Sequence, residues 1–426
     1  MVSLEKINNS PRKTYKILLA PLDWGLGHAT RCIPIIKELL NQKCDVWIAA
    51  SGDQKALLKE EFPFLPFVEL PGYNVKYGKN RAFTLLKIVS SIPKILIRIK
   101  REKDWLRQFQ ATERPDAVIS DNRYGLHAPG LFSVFITHQL RIRTPFGQLA
   151  DTFLQRINYR AIHRFSLCWI PDLEGAGALA GTLSHPDQLP HTPTRYIGLL
   201  SRFEQQPDST EQPAHATEPC DLLVLLSGPE PQRTIFEKKI LDQLPSYPGS
   251  VILVRGLPGA GAPRLTGTAA IAGKGIEPGV GPLPGAGSLP SRLRIYNHLP
   301  ANELNAVITG AGMVLSRAGY STIMDLLKLG KRAILVPTPG QSEQEYLGRY
   351  LSGKQMALCI EQSAFSLAGA MTLAGNFPFV GIEAGESGIG IPQPTEDMPA
   401  GNDLLQKEIR SFLEALDSHT LESHNP

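Results

Sequence analysis

The chain lacks several features that would place it in a class at once. No C-x-x-C pair is present, so a clustered zinc or redox motif is excluded and reduced, buried thiols are expected. No D-x-D sequence is present either, so a metal site held by such a pair of aspartates is not expected. No apolar run approaches the roughly 18 residues of a membrane-spanning helix, so no such helix is expected. The widely scattered cysteines are Cys32, Cys44, Cys168, Cys220 and Cys359.

Charge and composition narrow the choice further. A net charge of +4 in 426 residues is too small to indicate nucleic-acid binding. The segment from Met1 to Lys16 has no apolar core, so we expect no signal peptide and place the chain in the cytoplasm. With 42% hydrophobic and 20% charged residues, the composition is that of a globular protein. At about 150 residues per domain, this length favours two domains.

Short apolar runs alternate with amphipathic stretches in the first half, an order typical of βαβ units and a parallel sheet. A helix is expected after Thr30. The predicted strands of this half are Lys16–Ala20, Asp45–Ala50, Asp116–Ser120, Phe132–Thr137 and Leu167–Ile170. The first half is therefore predicted to be an α/β domain over residues 14–200.

A second α/β series follows a polar segment at 201–219 that cannot pack a core and is predicted to be a linker. Its predicted strands are Asp221–Leu226, Ser250–Arg255, Met313–Leu315 and Ala333–Pro337, with helices at Arg233–Leu244 and Ser321–Leu329. The remaining predicted segments are a second domain at 220–364, a low-complexity insertion at 257–290, a Gly/Pro-rich segment at 365–402 and a helix at 403–416.

The first chemical motif is the run A-P-L-D-W-G-L-G-H-A-T-R, residues 20–31, which leaves a strand through Gly25 and Gly27 and enters a helix. Glycines allow a tight turn close to a ligand, and a helix start offers free N–H groups to an anion. A dinucleotide fingerprint needs a glycine where Thr30 stands, which disfavours a nicotinamide enzyme. His28 is a candidate general base, or a structural histidine beside Trp24.

Three further motifs lie in the second half, each after a predicted strand. Ser227, Gly228 and Arg233 are candidates for holding a diphosphate, against the alternative of a plain proline-containing turn. In the run S-R-A-G-Y-S-T-I-M-D, residues 316–325, Asp325 is a candidate for binding vicinal hydroxyls such as those of ribose. The alternative is a residue placed there by the helix dipole.

The last motif is V-P-T-P-G-Q-S-E-Q, residues 336–344, which is rich in groups that bind sugar hydroxyls. Ligands of open α/β sheets bind at the carboxyl ends of strands, where all these loops begin. The sequence therefore predicts a ligand site assembled from several loops.

Together these segments resemble the GT-B glycosyltransferases of family 28, which contains the lipid-linked N-acetylglucosaminyltransferase of peptidoglycan synthesis. The resemblance is most specific from Met313 to Leu351 and covers about a quarter of the chain. It implies two Rossmann-like domains facing a cleft, with the second binding a UDP-sugar. The residues it implies for the donor are Ser227, Gly228, Arg233, His298, Leu299, Ser316, Ala318, Gly319, Thr322, Asp325, Glu343 and Gln344.

The first domain is then expected to bind the acceptor. Its candidate residues are Gly25, Gly27, Arg31, Arg123 and His138, with His28 as the catalytic base and His138 as the reserve candidate. The first glycine-rich loop and the insertion after Leu257 depart from the peptidoglycan enzyme, so the acceptor is expected to differ. It remains open between lipid-linked and other hydroxyl compounds.

A separate segment from Lys76 to Arg107 carries ten Lys or Arg residues among apolar ones. This mixture suits a surface resting on anionic lipid at the inner face of the membrane, or ordinary helices with one solvated face. The membrane surface is one expected partner, and nucleic acid is not.

The sequence thus predicts an inverting, metal-independent transfer of a hexose or N-acetylhexosamine from a UDP-sugar to an acceptor hydroxyl, with no cofactor. Two alternatives remain. One is a UDP-sugar hydrolase or epimerase on the same fold, and the other is a non-catalytic protein that binds nucleotide sugars.

Overall fold

The computed structural model describes most of the chain as two units of parallel β-sheet covered by helices. The described residues are 13–73, 81–144, 147–203, 219–258, 293–380 and 401–423, with side chains left out at 81–92, 176, 401–403 and 420–423. Residues 259–290 of the predicted insertion, most of the predicted linker and residues 381–400 of the 365–402 segment lie outside these residues.

The first unit is a parallel sheet in the order β3-β2-β1-β4-β5-β6-β7. Its elements are β1 Lys16–Pro21, α1 Gly27–Asn41, β2 Asp45–Ala50, α2 Gly52–Glu61, β3 Phe67–Glu69, α3 Arg81–Glu113, β4 Ala117–Asp121, β5 Phe132–Ile136, α4 Gln148–Ile162, β6 Leu167–Ile170 and β7 Thr194–Tyr196. The central strands are buried on both faces, as their continuous apolar runs predict. One prediction is corrected, because α1 begins at Gly27 and not after Thr30.

The second unit is a parallel sheet in the order β10-β9-β8-β11-β12-β13. Its elements are β8 Cys220–Leu225, α5 Gln232–Leu241, β9 Val251–Val254, β10 Leu293–Tyr296, α6 Ala301–Gly310, β11 Ala311–Ser316, α7 Tyr320–Lys328, β12 Ala333–Leu335, α8 Ser342–Gly353, β13 Leu358–Cys359 and α9 Leu367–Asn376. Helix α9 packs on this core through Leu367, Ala370 and Ala374. The second unit therefore extends beyond residue 364, where the sequence analysis ended it.

Each sheet has a point at which the strand order reverses, and this point positions the loops of the site. Strand β1 lies between β2 and β4, and β8 lies between β9 and β11. The loops that leave neighbouring strands on opposite sides of such a point form a crevice at the carboxyl ends of the strands. The glycine-rich loop follows β1, and the S-R-A-G loop follows β11, so both lie at these crevices.

The two units contact each other closely around the start of α1. Ser321 Oγ donates a hydrogen bond to the Gly27 carbonyl at 2.8 Å. A Cβ atom at Gly27 would come within 3.0 Å of that same Oγ, so a side chain here would press against α7. Tyr320 donates from its hydroxyl to the Pro171 carbonyl at 2.8 Å. These contacts bring the carboxyl edges of the two sheets face to face.

Helix α10, Gly401–Ser423, packs against the first unit although it follows the second in sequence. Phe412 is 1% exposed, and its ring lies 5.5 Å from that of Trp169 and 5.6 Å from that of Phe132. Tyr15 also donates a short hydrogen bond to Asp417. The helix is longer than the 403–416 range expected from its apolar spacing, and it ties the end of the chain to the first unit.

We expect Phe412→Ala to lower the free energy of unfolding by about 3 to 5 kcal/mol, the usual cost of removing a fully buried phenyl ring. Urea unfolding followed by near-UV circular dichroism measures it. The matched control is Phe64→Ala, whose ring is 71% exposed, and its expected change is below about 0.5 kcal/mol. Equal losses in the two variants would contradict the packing of α10 described above.

Candidate functional site

A cleft of about 450 Å³ lies between the two units and is lined by residues of both. This is the volume range of small-molecule sites. The predicted site residues on its wall are Gly25, Gly27, His28, Arg31 and His138 of the first unit and Ser227, Gly228, Gly319, Thr322, Glu343 and Gln344 of the second. Eleven candidate residues from separate loops are therefore brought together.

His28, in the first turn of α1, is paired with the carboxylate of Asp121 at the end of β4. Its Nδ1 lies 2.9 Å from Asp121 Oδ2. Burial lowers the pKa of His28, and the Arg31 cation adds to this, outweighing the opposite effect of Asp121. The ring is therefore neutral at pH 7, with Nε2 as the nitrogen that Asp121 does not engage.

Asp121 has no solvent exposure, and Arg31 holds it ionised. Burial alone would raise its pKa, but Arg31 and His28 outweigh burial and lower it to about 2. Arg31 donates from Nε to Asp121 Oδ2 at 2.9 Å and makes a second, shorter bond from Nη2 to Oδ1. Such a bidentate contact fixes the orientation of the carboxylate plane.

His138, which follows β5, joins the two units. Its Nε2 lies 2.7 Å from Glu343 Oε1 on α8, while its Nδ1 lies 3.2 Å from Arg31 Nη1. Gln139 makes a short hydrogen bond to the other oxygen of Glu343. The His138 ring also stacks on Tyr320, with centroids 4.1 Å apart. A polar network therefore crosses the cleft from Asp121 to Glu343.

The second-unit wall consists largely of helix starts and small residues. The first turn of α7 has no side-chain cap, and neither has that of α8. Gly228 adopts a φ of +97°, which favours glycine and lets the loop after β8 turn at the cleft. Uncapped N–H groups at helix starts attract anions.

The predicted sugar loop, residues 336–344, contains buried polar atoms beside the cleft. Gln344 accepts a hydrogen bond from the Thr338 backbone N–H at 2.9 Å. Among the described side chains, Thr338 Oγ1 and Gln341 Oε1 are buried without a hydrogen-bond partner. Buried polar atoms ordinarily have one, so this loop offers groups to a bound ligand.

Arg233, a predicted diphosphate ligand, does not lie on the cleft wall. It donates to Glu230 at 2.8 Å and to Glu237 at 2.8 Å, within its own helix and the preceding turn. The prediction is corrected because two carboxylates three and four residues away already satisfy the guanidinium.

Asp325, the predicted ribose ligand, also lies off the cleft wall. Its carboxylate accepts a hydrogen bond from Ser201 Oγ at 2.7 Å and lies 4.0 Å from Arg202 Nε. Burial raises its pKa to about 6, against the opposing effect of Arg202. Instead of facing the cleft, Asp325 contacts the chain that leaves the first unit.

Other predicted residues are placed differently as well. His298 Nε2 lies 3.5 Å from Glu60 on α2. The side chains of Leu299, Ser316 and Ala318 are buried beneath the wall. Arg123 donates to Glu102 at 2.9 Å and to the Pro21 carbonyl at 2.8 Å, so it supports the first glycine-rich loop from behind.

Sequence reasoning missed Asp121 and Gln139, which contribute to the site, and it did not predict the stacking of Tyr320 on His138. Asp121 directly follows the predicted strand Asp116–Ser120, and the strand-end rule would have identified it. Among the described residues, no group of three or more His, Cys, Asp or Glu side chains is placed to hold a metal ion. Metal independence stays a prediction.

Part of the second unit matches a known protein family. Residues 296–372 match the glycosyltransferase family 28 C-terminal domain, and this match includes the S-R-A-G loop and the predicted sugar loop. No curated protein matches the chain.

Solved structures of glycosyltransferases match nearly the whole chain. Spinosyn forosaminyltransferase SpnP has 12% identity and a TM-score of 0.56, covering 94% of this chain and 100% of its own. SnogD from Streptomyces nogalater has 14% identity and a TM-score of 0.53, with the same shares. Arabidopsis thaliana UGT89C1, complexed with UDP-L-rhamnose, has 13% identity and a TM-score of 0.54, covering 95% of each chain.

At these identities the structural likeness establishes the fold, while the family match adds support for sugar transfer. The predictions of the fold and of the resemblance are therefore confirmed. The chain has the two-domain α/β GT-B fold and resembles the glycosyltransferases of family 28 through its second domain.

Proposed function

We propose that the protein transfers a hexose or N-acetylhexosamine from a UDP-sugar to an acceptor hydroxyl, with inversion and without a metal. The observation that carries the proposal is the His28–Asp121 pair, which shares one cleft with the helix starts of a domain matching family 28. A base and an anion site on opposite walls suit a displacement at a sugar carbon between them.

The first turn of α7 and the Ser227–Gly228 loop bind the diphosphate of the donor. Tyr320, Ser321 and Thr322 begin α7 without a side-chain cap, so their N–H groups face the cleft end of the helix. These dipoles stabilise the negative charge that develops on the leaving UDP. A UDP-sugar is supported by UGT89C1, a structure of the same fold complexed with UDP-L-rhamnose.

The donor sugar lies against the loop of residues 336–344. Thr338 Oγ1 and Gln341 Oε1 then gain the hydrogen-bond partners they lack, and Gln344 offers its amide N–H groups. A site built to bond hydroxyls rejects sugars that lack them, because its buried polar groups would stay unpaired. This loop therefore selects the donor sugar.

His28 acts as general base through Nε2. The acceptor oxygen forms a bond to the anomeric carbon while its proton moves to Nε2, and the bond from that carbon to the UDP oxygen breaks with its electron pair. Asp121 stabilises the imidazolium that results, as a carboxylate behind a catalytic histidine does. A single displacement inverts the anomeric centre.

The first-unit wall of the cleft favours transfer over the two alternatives. A hydrolase or epimerase needs no second organic substrate, but here the apolar side chains of Ile95 and Ile142 line the same cleft as His28, where they can contact an acceptor. A non-catalytic binding protein has no use for a buried carboxylate held against a neutral histidine.

We further propose that the acceptor side faces an anionic membrane surface. Leu149, Phe153 and Ile157 repeat every four residues along α4 and are 90%, 62% and 45% exposed. Leu96 and Ile97 on α3 are 62% and 54% exposed. Within the described part of the chain, none of the helices is both long and apolar enough to cross a bilayer.

Basic residues lie on the same two helices as these exposed apolar side chains, which supports an anionic partner. They are Lys94, Arg98, Lys100 and Arg101 on α3 and Arg156 and Arg160 on α4. Lys103 within α3 is close enough to Arg164, just beyond α4, for that residue to lower its pKa in addition to the larger effect of burial. Apolar side chains inserted among lysines and arginines are typical of surfaces that rest on acidic lipid.

For the donor, we expect UDP at 100 times its dissociation constant to stabilise the protein by about 2.7 kcal/mol. Thr322→Val, on the cleft wall, should weaken UDP binding by about 0.5 to 1.5 kcal/mol through one lost hydrogen bond. The matched control Thr234→Val, at the start of α5 and off the wall, should bind UDP normally. A thermal-shift series with several nucleotides measures both, and stabilisation by another nucleotide but not UDP would disprove the donor.

For the base, we expect His28→Ala to lower kcat about 100-fold or more with nearly unchanged UDP affinity. Because burial and Arg31 lower the pKa of His28, the acid limb of wild-type kcat should lie below pH 6.5. The base is active only when unprotonated, so kcat rises with pH through this limb. UDP release with candidate acceptors measures the rate, and a His28→Ala enzyme with normal kcat would make this histidine structural.

For the membrane, we expect Glu substitution of Lys94, Arg98 and Arg101 to reduce sedimentation with phosphatidylserine vesicles. The wild-type protein should itself bind less at high salt, since exposed charges are screened. The control carries Glu at Lys37, Lys43 and Lys407, which are exposed outside α3 and α4. Equal losses in both triple variants would indicate only a dependence on net charge.

A further inference from the structure

Arg31 contacts both histidines of the cleft and can only donate hydrogen bonds. It is 2% exposed, and its Nη1 lies 3.2 Å from His138 Nδ1. For this contact to be a hydrogen bond, Nδ1 of His138 must be unprotonated. The ring proton of neutral His138 then lies on Nε2, which donates to Glu343 Oε1 at 2.7 Å.

His28 has the opposite arrangement. Asp121 Oδ2, at 2.9 Å from His28 Nδ1, can only accept, because Arg31 keeps this carboxylate ionised. An unprotonated Nδ1 would direct its lone pair at the carboxylate, so the proton lies on Nδ1. Arg31 Nη2 also lies 2.9 Å from this nitrogen and has a second N–H group besides the one that it donates to Asp121 Oδ1. The bond from Nδ1 to the buried carboxylate is the stronger one because its acceptor is ionised, so Asp121 and not Arg31 sets the proton on Nδ1 of His28.

We propose that Arg31 is a positioning residue that sets opposite tautomers on the two histidines. It acts directly on His138 by donating to Nδ1, and on His28 by orienting the Asp121 carboxylate that accepts from Nδ1. This leaves His28 Nε2 free as the base and makes His138 a donor to Glu343. This role goes beyond the proposed function and rests on it only for the catalytic consequence. It also assigns His138 a structural bond to the second unit, so His138 is not a reserve base.

The charged and titratable groups that face His28 come from each wall of the cleft. They are Arg31 on α1, Asp121 at the end of β4 and His138 after β5, with Glu343 on α8 behind His138. Arg31 is the cation among them, so its removal should raise the basicity of His28. A role in packing alone would not have this effect.

The tautomers can be measured directly by 15N NMR of the full chain labelled at histidine, because protonated and unprotonated ring nitrogens have distinct shifts. His28→Gln and His138→Gln variants assign the signals. In the wild type we expect a proton on Nδ1 of His28 and on Nε2 of His138. In Arg31→Met we expect each ring to show a mixture of tautomers.

The matched control is Arg233→Lys, which alters another buried arginine–carboxylate pair, Arg233–Glu237 of the second unit, that touches neither histidine. Its two histidine signals should stay as in the wild type. The opposite tautomer at either histidine of the wild type, or unchanged rings in Arg31→Met, would overturn the proposal. If Arg31→Met does not fold, Arg31→Lys, which keeps the charge but cannot bond both groups, is measured in its place.

Kinetics provide a second readout. Arg31→Met should lower kcat about 100-fold or more, as loss of the base does, and move the acid limb of its pH profile upward. Arg31→Lys should return the limb toward the wild-type position while kcat stays reduced. An unmoved limb in Arg31→Met would contradict the positioning role. Wild-type protein with the expected tautomers but no UDP release would instead disprove only the proposed function.

Discussion

The ionised carboxylate of Asp121, buried with no solvent exposure, is the constraint on which the cleft depends. An unpaired buried charge costs several kcal/mol, so the carboxylate requires the start of α1 to supply both Arg31 and His28. The pairing of β1 with β4 places the glycine-rich loop next to the end of β4, where this is possible. The position of His28 therefore follows from an electrostatic requirement of the fold.

Most strands of the two sheets could be predicted because buried parallel strands are apolar runs bounded by polar residues. The failures occurred where that signal is weak. Helix α1 starts at Gly27 and not after Thr30. A G-x-G run is typical of a loop, and the sequence does not reveal that Gly27 packs against Ser321. Helix α9 contains two glycines, yet Ser366 caps it and Ala370 and Ala374 pack on the second core. In both places tertiary contacts outweighed local propensity.

Motif position predicted which loops form the site better than it predicted what each side chain contacts. Arg233 belongs to a loop at a strand end, but its partners at Glu230 and Glu237 follow from helical spacing and could have been predicted. The partner of Asp325 could not, because Ser201 lies 124 residues away. His28 and Asp121 are 93 residues apart, and only the pairing of β1 with β4 brings them together.

The second-unit wall is nearly free of charged groups, and this determines how it can hold an anion. Arg233 is used by its own helix, while Arg317 is 1% exposed and donates to the carbonyls of Val336 and Gln232. Among the described second-unit residues that line the cleft, the charged one is Glu343.

A carboxylate repels a diphosphate, so Glu343 has to be held away from the proposed diphosphate of the donor, or its charge has to be compensated. His138 and Gln139 of the first unit both donate to it, and His138 with Arg31 lowers its pKa despite the effect of burial. The proposed diphosphate is then left to backbone N–H groups at helix starts, whose dipoles are fixed in place before any ligand arrives. The bonds that restrain Glu343 also join the two walls, so the proposed base and the proposed anion site both depend on contacts between the domains.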